Sequence, residues 1–356
     1  MDFYRKLRQS CPQLRLLRDP GTRENYGRDW TRFRDPAPAA VAFPASTADV
    51  CALVAAAAEH GIPLVPSGGR TGLSGGAVAA DGEVVVSLER MRLIGEFDPV
   101  DRTLVVEAGV VTATVQEAAR SRGLYYPVSF ASEGSSQIGG NIATNAGGIR
   151  VLRYGTTRDR VAGLRVVTGR GDVLELNRGL AKNATGYDLR HLFVGSEGTL
   201  GIVVEAILRL TDPPAPSRVL LLGVCGMPAL MDLFARLRAA LRLSAFEFFT
   251  DRALAQVRQA HGLDAPFAQE APVYAIAEFD CLGEADEERA LACFQQALDD
   301  GLVYDGVISQ NERQARELWR YREGISEAIA EFTPYKNDLA VTVARVPEYL
   351  AGLEDL

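Results

Sequence analysis

A glycine-rich run over residues 132–148 is the feature that most restricts how this chain can fold. Five of the fifteen residues from Gly134 to Gly148 are glycine, where an average content of about 7% predicts about one. The others are mostly small, hydroxylic or amide-bearing, and packing alone gives no reason for so many bare backbone positions together. Glycine loses much conformational freedom on folding, but it lets backbone N–H groups approach a ligand closely. The run therefore favours a segment that lies against a large, phosphate-bearing cofactor.

A second glycine cluster, Pro66-Ser67-Gly68-Gly69-Arg70-Thr71-Gly72-Leu73-Ser74-Gly75-Gly76, follows a predicted strand. It is not a Walker loop, because Gly-Lys-Ser/Thr is absent from the chain, and the Gly-x-Gly-x-x-Gly dinucleotide fingerprint is absent too. A lone glycine loop would indicate a structural turn. Two clusters about sixty residues apart favour an extended dinucleotide, with consecutive N–H groups of one loop at its diphosphate.

Size and composition are those of an ordinary acidic protein. The 356 residues suggest roughly two domains, and the hydrophobic fraction is 47%. A net charge of -8 argues against a nucleic-acid-binding surface, which would be basic. The five cysteines are scattered and form no Cys-x-x-Cys motif, which predicts reduced thiols in a cytoplasmic protein. The N-terminus lacks the apolar core of a signal peptide, and the apolar residues 50–58 are too few to span a bilayer.

Local signals predict a mixed helix and strand domain up to a proline-rich connector. Ser46-Thr47-Ala48-Asp49 is a capping-box start for a helix that ends at His60-Gly61. Further predicted elements are strands at 62–65, 84–88 and 103–107, a helix at 112–122, a hairpin of 164–168 with 173–176, and a strand at 202–210. Three prolines among residues 213–216 form a stiff connector. We therefore expect one domain over residues 1–212 and a second over 213–356.

The second domain shows alternating strand and helix signals. The predicted order is strand 219–224, helix 229–241, strand 245–250, a helix, strand 273–279, helix 284–298, strand 302–307 and a long helix 311–331. This alternation indicates an antiparallel sheet covered by helices, of the ferredoxin-like kind.

Two further motifs, Lys182-Asn183-Ala184-Thr185-Gly186-Tyr187-Asp188-Leu189 and Gly195-Ser196-Glu197-Gly198-Thr199-Leu200-Gly201-Ile202-Val203, make a resemblance specific. With the two glycine clusters, the chain resembles the FAD-linked oxidoreductases of the vanillyl-alcohol oxidase type. Within them it is similar to the D-2-hydroxy acid dehydrogenases, which include D-lactate and D-2-hydroxyglutarate dehydrogenases and the flavin subunit of glycolate oxidase. The resemblance implies an α+β fold, with a PCMH-type FAD-binding domain of two α+β subdomains and a ferredoxin-like α+β cap/substrate domain.

The resemblance also assigns residues to FAD. Residues 67–74 would wrap the diphosphate, the glycine run would line the adenosine and ribityl portions, and a later strand would lie against the cofactor. The implied cofactor-binding residues are Pro66, Ser67, Gly68, Gly69, Arg70, Thr71, Gly72, Ser74, Gly134, Ser135, Ile138, Gly139, Gly140, Asn141, Thr144, Gly148, Gly201 and Ile202.

Some residues in these motifs have structural interpretations as well. Asn141 and Asn145 would equally serve as loop caps. Glu197 stands among tight-turn glycines and is expected to be structural. Tyr187 and Asp188 are expected to hold the fold rather than to touch substrate.

A 2-hydroxy acid would need a cationic clamp for its carboxylate, a group that stabilises the alkoxide and a base. Arg322 and Ser326 are four residues apart in a predicted helix, hence on one face. The resemblance implies that Arg322, Ser326 and Lys336 hold the substrate, whereas the residues alone would suggest solvated charges. Arg320 is expected to be a surface charge. No catalytic residue is identified in the chain.

Longer relatives continue with a His-x6-His metal pair, an acidic ligand and a catalytic histidine. The histidines here are His60, His191 and His261, and none has metal-site spacing; we expect them at helix ends or on the surface. We expect a divalent metal such as zinc only with such a further C-terminal segment. Without that segment, the chain is expected to be either a fragment or a shortened relative. We expect D-lactate or D-2-hydroxyglutarate to reduce the flavin of this 356-residue form slowly, if at all.

The leading hypothesis is an FAD-dependent D-2-hydroxy acid dehydrogenase that passes hydride to flavin N5 and electrons to a non-nicotinamide acceptor. A quinone, a cytochrome or a flavoprotein is the acceptor class that the resemblance implies. The alternative is a non-catalytic FAD-binding, electron-relay subunit of a multi-chain oxidoreductase; a third hypothesis is a flavin-free phosphate-binding protein. The expected substrate is a small anionic 2-hydroxy acid. We expect no nucleic acid and no transmembrane segment, a cytoplasmic location with peripheral membrane association as an option, and a homodimer as the candidate oligomer.

The residue at position 70 predicts how the cofactor is held. Relatives that link FAD covalently carry histidine at the position of Arg70, and arginine is not expected to form that bond. Acid precipitation of the purified protein should therefore release all of its flavin into the supernatant. Yellow colour that stays with the washed pellet would contradict non-covalent binding.

Overall fold

The computed structural model describes residues 3–31, 33–332 and 339–354. The chain forms two compact units, the first of Met1–Gly148 with Tyr154–Pro213 and the second of Ile149–Arg153 with Pro214–Leu356. Within the described ranges, no helix is both long and apolar enough to cross a membrane.

The part of the chain up to residue 209 contains nine strands and eight helices in its described ranges. In chain order they are α1 (Phe3–Ser10), β1 (Arg15–Leu17), α2 (Pro20–Tyr26), β2 (Ala40–Phe43), α3 (Thr47–His60), β3 (Leu64–Ser67), β4 (Val84–Ser87), β5 (Ile94–Asp98), β6 (Thr103–Glu107), α4 (Thr112–Arg120), α5 (Ile138–Ala143), α6 (Val151–Tyr154), α7 (Thr157–Arg160), β7 (Val161–Thr168), β8 (Val173–Leu176), α8 (Arg190–Phe193) and β9 (Gly201–Arg209).

The first sheet of the first unit has the order β1-β2-β4-β3. Strands β2, β4 and β3 are parallel, and β1 joins them antiparallel. The helix α3 connects β2 to β3 and begins where the sequence predicts, because the Ser46 side chain accepts a hydrogen bond from the Asp49 N–H at 3.1 Å. It ends before Gly61, which has a left-handed φ of 63°. This helix places β3 in the sheet. Ser67, the last residue of β3, leads into the second glycine cluster.

The second sheet of this unit is antiparallel, in the order β5-β6-β9-β7-β8. Strands β7 and β8 form the predicted hairpin, with Val167 opposite Val173, and residues 205–209 of β9 pair with the whole of β6. Alternating side chains of these strands pack into a core that includes residues of the first sheet and α3. Two α+β subdomains are thus present, as the sequence predicts.

The glycine run contains a helix, which the sequence did not predict. Its helix α5 packs on the turn after β6, where a Cβ on Gly139 would lie 2.8 Å from the Ala108 Cβ. A Cβ on Gly148 would lie 1.9 Å from the Ser129 carbonyl oxygen. We expected no packing reason for the glycines of this run. That expectation was wrong for Gly139 and Gly148, because neighbouring atoms leave no room for a Cβ at either position.

The second unit alternates strands and helices. Its elements are β10 (Ser217–Val224), α9 (Met227–Ala240), β11 (Leu243–Thr250), α10 (Asp251–His261), β12 (Val273–Asp280), α11 (Glu284–Asp299), β13 (Val303–Ile308), α12 (Glu312–Glu323), α13 (Ile325–Ala328), a 3-10 turn (Ala330–Phe332), a second 3-10 turn (Val343–Arg345) and α14 (Val346–Glu354). The antiparallel sheet has the order β11-β12-β10-β13, which is the ferredoxin-like order. Residues of α9 and α11 pack on one face, and residues of α10 and α12 pack on the other.

The long helix predicted over residues 311–331 is broken. Its first part, α12, ends at Glu323 and is followed by the four-residue α13. A Cβ on Gly324 would lie 2.9 Å from the Arg320 carbonyl oxygen and 3.0 Å from His261 Nε2. Glycine disfavours a continuous helix, and here it also makes room for the end of α10. Arg322 and Ser326 therefore lie on two successive helices rather than on one continuous helix, and their sharing of one face stays a prediction.

A buried carboxylate organises the second unit on the face of α12. Glu278 of β12 is 5% exposed and accepts hydrogen bonds from Arg150 at 2.8 and 3.0 Å, from Ser244 at 2.6 Å and from Trp319 at 3.1 Å. Burial raises the pKa of Glu278, but the hydrogen bonds and charge of Arg150 outweigh it and hold the pKa below its ordinary value. The segment Ile149–Arg153 is thereby tied to this sheet.

Replacement of Glu278 should destabilise the second unit. Glu278→Met leaves Arg150 without this carboxylate, and losing one partner of a largely buried ion pair costs about 3 kcal/mol. Urea unfolding at pH 7 measures the loss, with Glu288→Met on the exposed face of α11 as the control.

The pH dependence of this loss has a definite sign. Because the folded-state pKa is below the unfolded value of about 4.3, the contribution of Glu278 is complete above that value and is lost as the pH falls through the folded pKa. The difference between wild type and Glu278→Met should therefore shrink in acid. A difference that grows below pH 4 would contradict this assignment.

Candidate functional site

Three segments of the first unit converge, and we name them loop A (residues 66–76), loop B (residues 132–148) and loop C (residues 195–201). Loops A and B touch through backbone, since a Cβ on Gly69 would lie 2.1 Å from the Ser135 carbonyl oxygen. Loop C is tied to the end of α5 in loop B by hydrogen bonds from the N–H groups of Gly195 and Glu197 to the Ile142 and Ala143 carbonyls, at 3.0 and 2.9 Å.

Loop C also contacts loop A. A Cβ on Gly198 would lie 2.9 Å from a ring carbon of Pro66, and one on Gly76 would lie 3.0 Å from a carboxylate oxygen of Glu197. Glu197 itself has a positive φ of 52°. The structural role expected for Glu197 agrees with these contacts, because its backbone and side chain join two of the three loops.

Where the three loops meet, two glycines face open space and two buried polar atoms have no hydrogen-bond partner. Positions Gly134 and Gly140 have no atom within 4 Å of where a Cβ would lie, so a ligand can reach the backbone there. Within the described residues, the buried Ser67 hydroxyl and the buried Gln137 Oε1 have no hydrogen-bond partner. An unsatisfied buried polar group costs about 1–3 kcal/mol. A polar ligand that supplies both donors and acceptors, such as FAD, fits these walls.

Loop A is held in place by a residue far away in the sequence. Asp29 is 6% exposed and accepts a hydrogen bond from the Gly75 N–H at 3.0 Å. The neighbouring Trp30 N–H donates to the Gly72 carbonyl at 3.1 Å. Asp29 was not predicted, because nothing in the sequence around it indicates a contact 46 residues further along the chain. Within the loop, Thr71 is half-buried and Ser74 is exposed.

The polar residues of α5 are engaged with the protein. Asn141 is 4% exposed, and its Nδ2 donates to the Thr112 hydroxyl at 2.7 Å. Thr144 donates to the Gly140 carbonyl at 3.0 Å, and Asn145 Oδ1 accepts from the Arg158 N–H at 2.9 Å. The capping interpretation agrees with the structure for Asn145, which accepts from a backbone N–H in the first turn of α7, whereas Asn141 lies within α5 and bonds the Thr112 side chain. The role of both asparagines at the cofactor stays a prediction.

Three other implied cofactor residues lie at the packed edge of the site. The side chain of Ile138 at the start of α5 is fully buried, and that of Ile202 at the start of β9 is 5% exposed. A Cβ on Gly201 would lie 2.7 Å from the Val167 carbonyl oxygen. These positions support the site from the core of the unit, and their direct contact with the cofactor remains a prediction.

The motif at residues 182–189 forms an exposed segment before loop C. Asp188 accepts a hydrogen bond from Arg190 Nε at 2.8 Å, and the bonds from Arg190 lower the pKa of Asp188 to about 2. Arg190 in turn donates to the Val161 and Ala162 carbonyls at 2.7 and 2.9 Å. The fold-holding role of Asp188 agrees with this. For Tyr187 it was wrong, because that side chain is 94% exposed.

The implied substrate residues belong to the second unit. Arg322 of α12 is 35% exposed and forms an ion pair through its Nε with Glu247 Oε2 at 2.5 Å. Ser326 of α13 is exposed, and Lys336 lies outside the described residues. Glu247 was missed by the sequence analysis, since a single glutamate in a strand carries no signal. The exposure of Arg320 agrees with its expected surface role.

The three histidines lie apart. His60 and His261 are the last residues of α3 and α10, as expected. His191 lies in α8, 3.4 Å from Asp188. Over the described ranges, no group of three or more His, Cys, Asp or Glu side chains gathers in a way that could hold a metal ion.

Two family profiles match the chain. One, described as an FAD binding domain, matches residues 38–177, and the other, described as FAD linked oxidases, C-terminal domain, matches residues 213–356. Loop A and loop B lie within the first match.

Curated relatives cover nearly the whole chain. It is 58% identical to D-2-hydroxyglutarate dehydrogenase of Xanthomonas citri pv. viticola, over 98% of this chain and 74% of that protein. For the protein of the same name from Stutzerimonas stutzeri the identity is 54%, over 96% and 73%. For the mitochondrial D-2-hydroxyglutarate dehydrogenase of Bos taurus it is 37%, over 95% of this chain and 63% of that protein. The chain thus spans about three quarters of the bacterial relatives and less than two thirds of the bovine one.

Solved structures share the fold. An alkyldihydroxyacetonephosphate synthase has a TM-score of 0.69 at 19% identity, over 93% of this chain and 64% of that chain. Physcomitrella patens BBE-like 1 has a TM-score of 0.63 at 19% identity, over 87% of this chain and 62% of that chain. These likenesses confirm the α+β two-domain fold that the sequence resemblance implies.

The contact between loops A and B predicts a sensitive position. In Gly69→Ala the new methyl group would meet the Ser135 carbonyl at 2.1 Å, so the two loops must separate. Overpacking of about 1–3 kcal/mol corresponds to roughly ten- to hundredfold weaker FAD binding, measurable by fluorescence titration of flavin-free protein. Gly169→Ala, where a Cβ meets no atom within 4 Å, is the control. Unchanged affinity in Gly69→Ala would show that the cofactor lies elsewhere.

Proposed function

The chain belongs to the FAD-linked oxidases, in their D-2-hydroxy acid dehydrogenase branch, and from this we propose that it oxidises D-2-hydroxyglutarate to the 2-oxo acid. Its cofactor is FAD, as the match to the FAD binding domain shows. The observation that carries the proposal is the junction of loops A, B and C, with open backbone at Gly134 and Gly140 and an unpartnered Ser67 hydroxyl. The substrate is inferred from the relatives at 58% and 54% identity.

The three loops would hold the cofactor by backbone approach and by a few hydroxyl groups. Loop A follows a parallel strand, where N–H groups of glycine-rich turns bind phosphate oxygens. Ser67 would donate its hydroxyl to the cofactor. The close Gly69–Ser135 approach leaves no space for water between loops A and B. When bound, FAD supplies the acceptor for the hydride that leaves the substrate carbon.

Arg322 would bind a substrate carboxylate. Its Nε forms an ion pair with Glu247 Oε2, and the terminal N–H groups would remain for a substrate carboxylate. Paired N–H donors of arginine suit a planar carboxylate. A dicarboxylate such as 2-hydroxyglutarate offers two such groups. Ser326 and Lys336 are proposed as further substrate contacts on the basis of the family resemblance.

The electron acceptor in this proposal is a quinone, a cytochrome or a flavoprotein, in keeping with the absence of a nicotinamide-type fingerprint from the sequence. The cysteines Cys11, Cys51, Cys225, Cys281 and Cys293 are all unpaired, which supports a reducing compartment such as the cytoplasm.

Anaerobic reduction of the bound flavin tests the proposed function. D-2-hydroxyglutarate should bleach the flavin absorbance faster than the L enantiomer, because a site that clamps the carboxylate presents only one face of the substrate carbon. D-lactate serves as a substrate without the second carboxylate. The test is made on a version extended to the length of the bacterial relatives. There, equal rates with both enantiomers, or no reduction with any D-2-hydroxy acid, would contradict the proposal.

Arg322→Ala should weaken substrate affinity and turnover while FAD stays bound. Loss of a charge-assisted carboxylate contact is worth about 1.5–3 kcal/mol, or more than tenfold in kcat/KM. Arg320→Ala is the control, because it also removes one arginine from α12 but at an exposed position. Its kcat/KM should equal that of the wild type. Loss of flavin from Arg322→Ala would place this arginine in the fold rather than at the substrate.

A further inference from the structure

Arg70 has an unusual backbone conformation for an arginine. Its φ is 58°, in the left-handed region that glycine tolerates and that side chains with a Cβ rarely adopt. Such strain persists only where surrounding contacts hold it, and it is concentrated at binding and catalytic sites. Arg70 lies in loop A between glycines, next to the Gly69–Ser135 contact, so the strained residue belongs to the wall of the candidate site.

The contact that holds Arg70 is aromatic. Its guanidinium carbon lies 4.3 Å from the centre of the Tyr26 ring, within the range of a cation–π interaction. Among the described residues, no carboxylate lies within ion-pair distance of this half-buried guanidinium. The positive charge is therefore held by a neutral ring and keeps its hydrogen-bond donors for another partner.

Tyr26 is itself fixed from two sides. Its hydroxyl donates to Glu89 Oε2 at 2.7 Å, and its ring meets that of Phe43 edge-on, with 5.0 Å between centroids. A carboxylate that accepts a hydrogen bond from the phenol increases the electron density of the ring, which strengthens its attraction for a cation. Glu89 thus acts on Arg70 through Tyr26, without neutralising the guanidinium by direct contact.

We propose that Tyr26 and Glu89 are positioning residues that hold Arg70 ready for the negative charge of FAD. This inference rests on the FAD site of the proposed function and adds two residues that neither glycine motif contains. A side chain that is already held in position loses little conformational entropy when the ligand binds, which favours affinity. The negative charge has two sources in FAD: the diphosphate in both redox states, and the ring once it is reduced.

A rival explanation is that Tyr26 only fills a core. It packs against a small cluster of buried residues that includes Val41, Phe43 and Val85, so its removal also affects packing. The two explanations differ in one respect. If Tyr26 acts through Arg70, its effect on the cofactor depends on the presence of Arg70; if it acts through packing, the effect does not.

A double-mutant cycle on FAD affinity separates them. Flavin-free wild type, Arg70→Met, Tyr26→Leu and the double variant are titrated with FAD by fluorescence quenching. Each single change is expected to weaken binding about tenfold, the size of a charge-assisted contact, and the double variant should be no weaker than Arg70→Met. Full additivity overturns the proposal, and so does an Arg70→Met variant that changes neither the FAD affinity nor the flavin midpoint potential.

Conservative variants keep the test decisive if Tyr26→Leu folds poorly. Tyr26→Phe retains the ring over Arg70 and should recover most of the affinity, and Glu89→Gln should show a loss of the same size as Tyr26→Phe. Arg15→Met is the matched control, since Arg15 is an exposed cation 5.0 Å over the Phe43 ring, outside loop A; it should bind FAD as wild type does. A loss in Arg15→Met equal to that in Arg70→Met overturns the proposal, because general charge would then suffice.

Two ligands locate the charge that Arg70 meets. If it meets the diphosphate, Arg70→Met weakens ADP binding as much as FAD binding. If it meets the reduced ring, ADP affinity is unchanged and the flavin midpoint potential of Arg70→Met falls. Either pattern supports a positioned cation. If Arg70→Met changes neither the ADP affinity nor the midpoint potential, the proposal is overturned. Failure of the wild-type protein to bind FAD would instead contradict the proposed function, so the two failures are distinguishable.

Discussion

The close backbone approach of Gly69 to Ser135 is the constraint on which the rest of the site depends. A Cβ at residue 69 would lie 2.1 Å from a carbonyl oxygen, so only glycine lets loops A and B meet. Once they meet, loop C closes over both, through the hydrogen bonds to α5 and the contacts of Gly198 and Glu197. Loop A follows β3 and loop C leads into β9, whereas loop B contains α5, which packs on the turn after β6. These packed elements give the glycine-rich loops a fixed position.

The second unit applies a different principle, since carboxylates of its sheet pair with its arginines. The buried Glu278 bonds Arg150, and the partly exposed Glu247 forms an ion pair with Arg322, whose side chain is 35% exposed. An arginine that pairs with one carboxylate of the protein can still bind a carboxylate of a ligand through its remaining N–H groups. The first unit holds its key cation, Arg70, with an aromatic ring instead, so that its charge is not cancelled before the cofactor binds.

Much of the fold could be predicted because its signals are local. The strand over residues 103–107 and the start of α3 at its Ser46 cap agree with the structure to the residue, since alternation and capping act over a few positions. The helix within the glycine run and the break at Gly324 could not be predicted. Both depend on tertiary contacts, of Gly139 with Ala108 and of Gly324 with His261, that no local pattern contains.

The candidate site divides in the same way. Motifs identified loops A, B and C, but the residues that hold them, Asp29, Tyr26 and Glu89, stand alone in the sequence and are distant from the loops they support. The resemblance supplied Arg322 but not its partner Glu247. Sequence motifs thus indicate the residues that would contact a ligand. They do not indicate the distant residues that hold those contact residues in position.

The central claim is that loops A, B and C form one FAD-binding site. Calorimetric titration of the flavin-free protein with FAD tests it most directly. The account predicts saturation at about one FAD per chain, with ADP competing for the same site. Absence of saturable FAD binding by folded protein would contradict it.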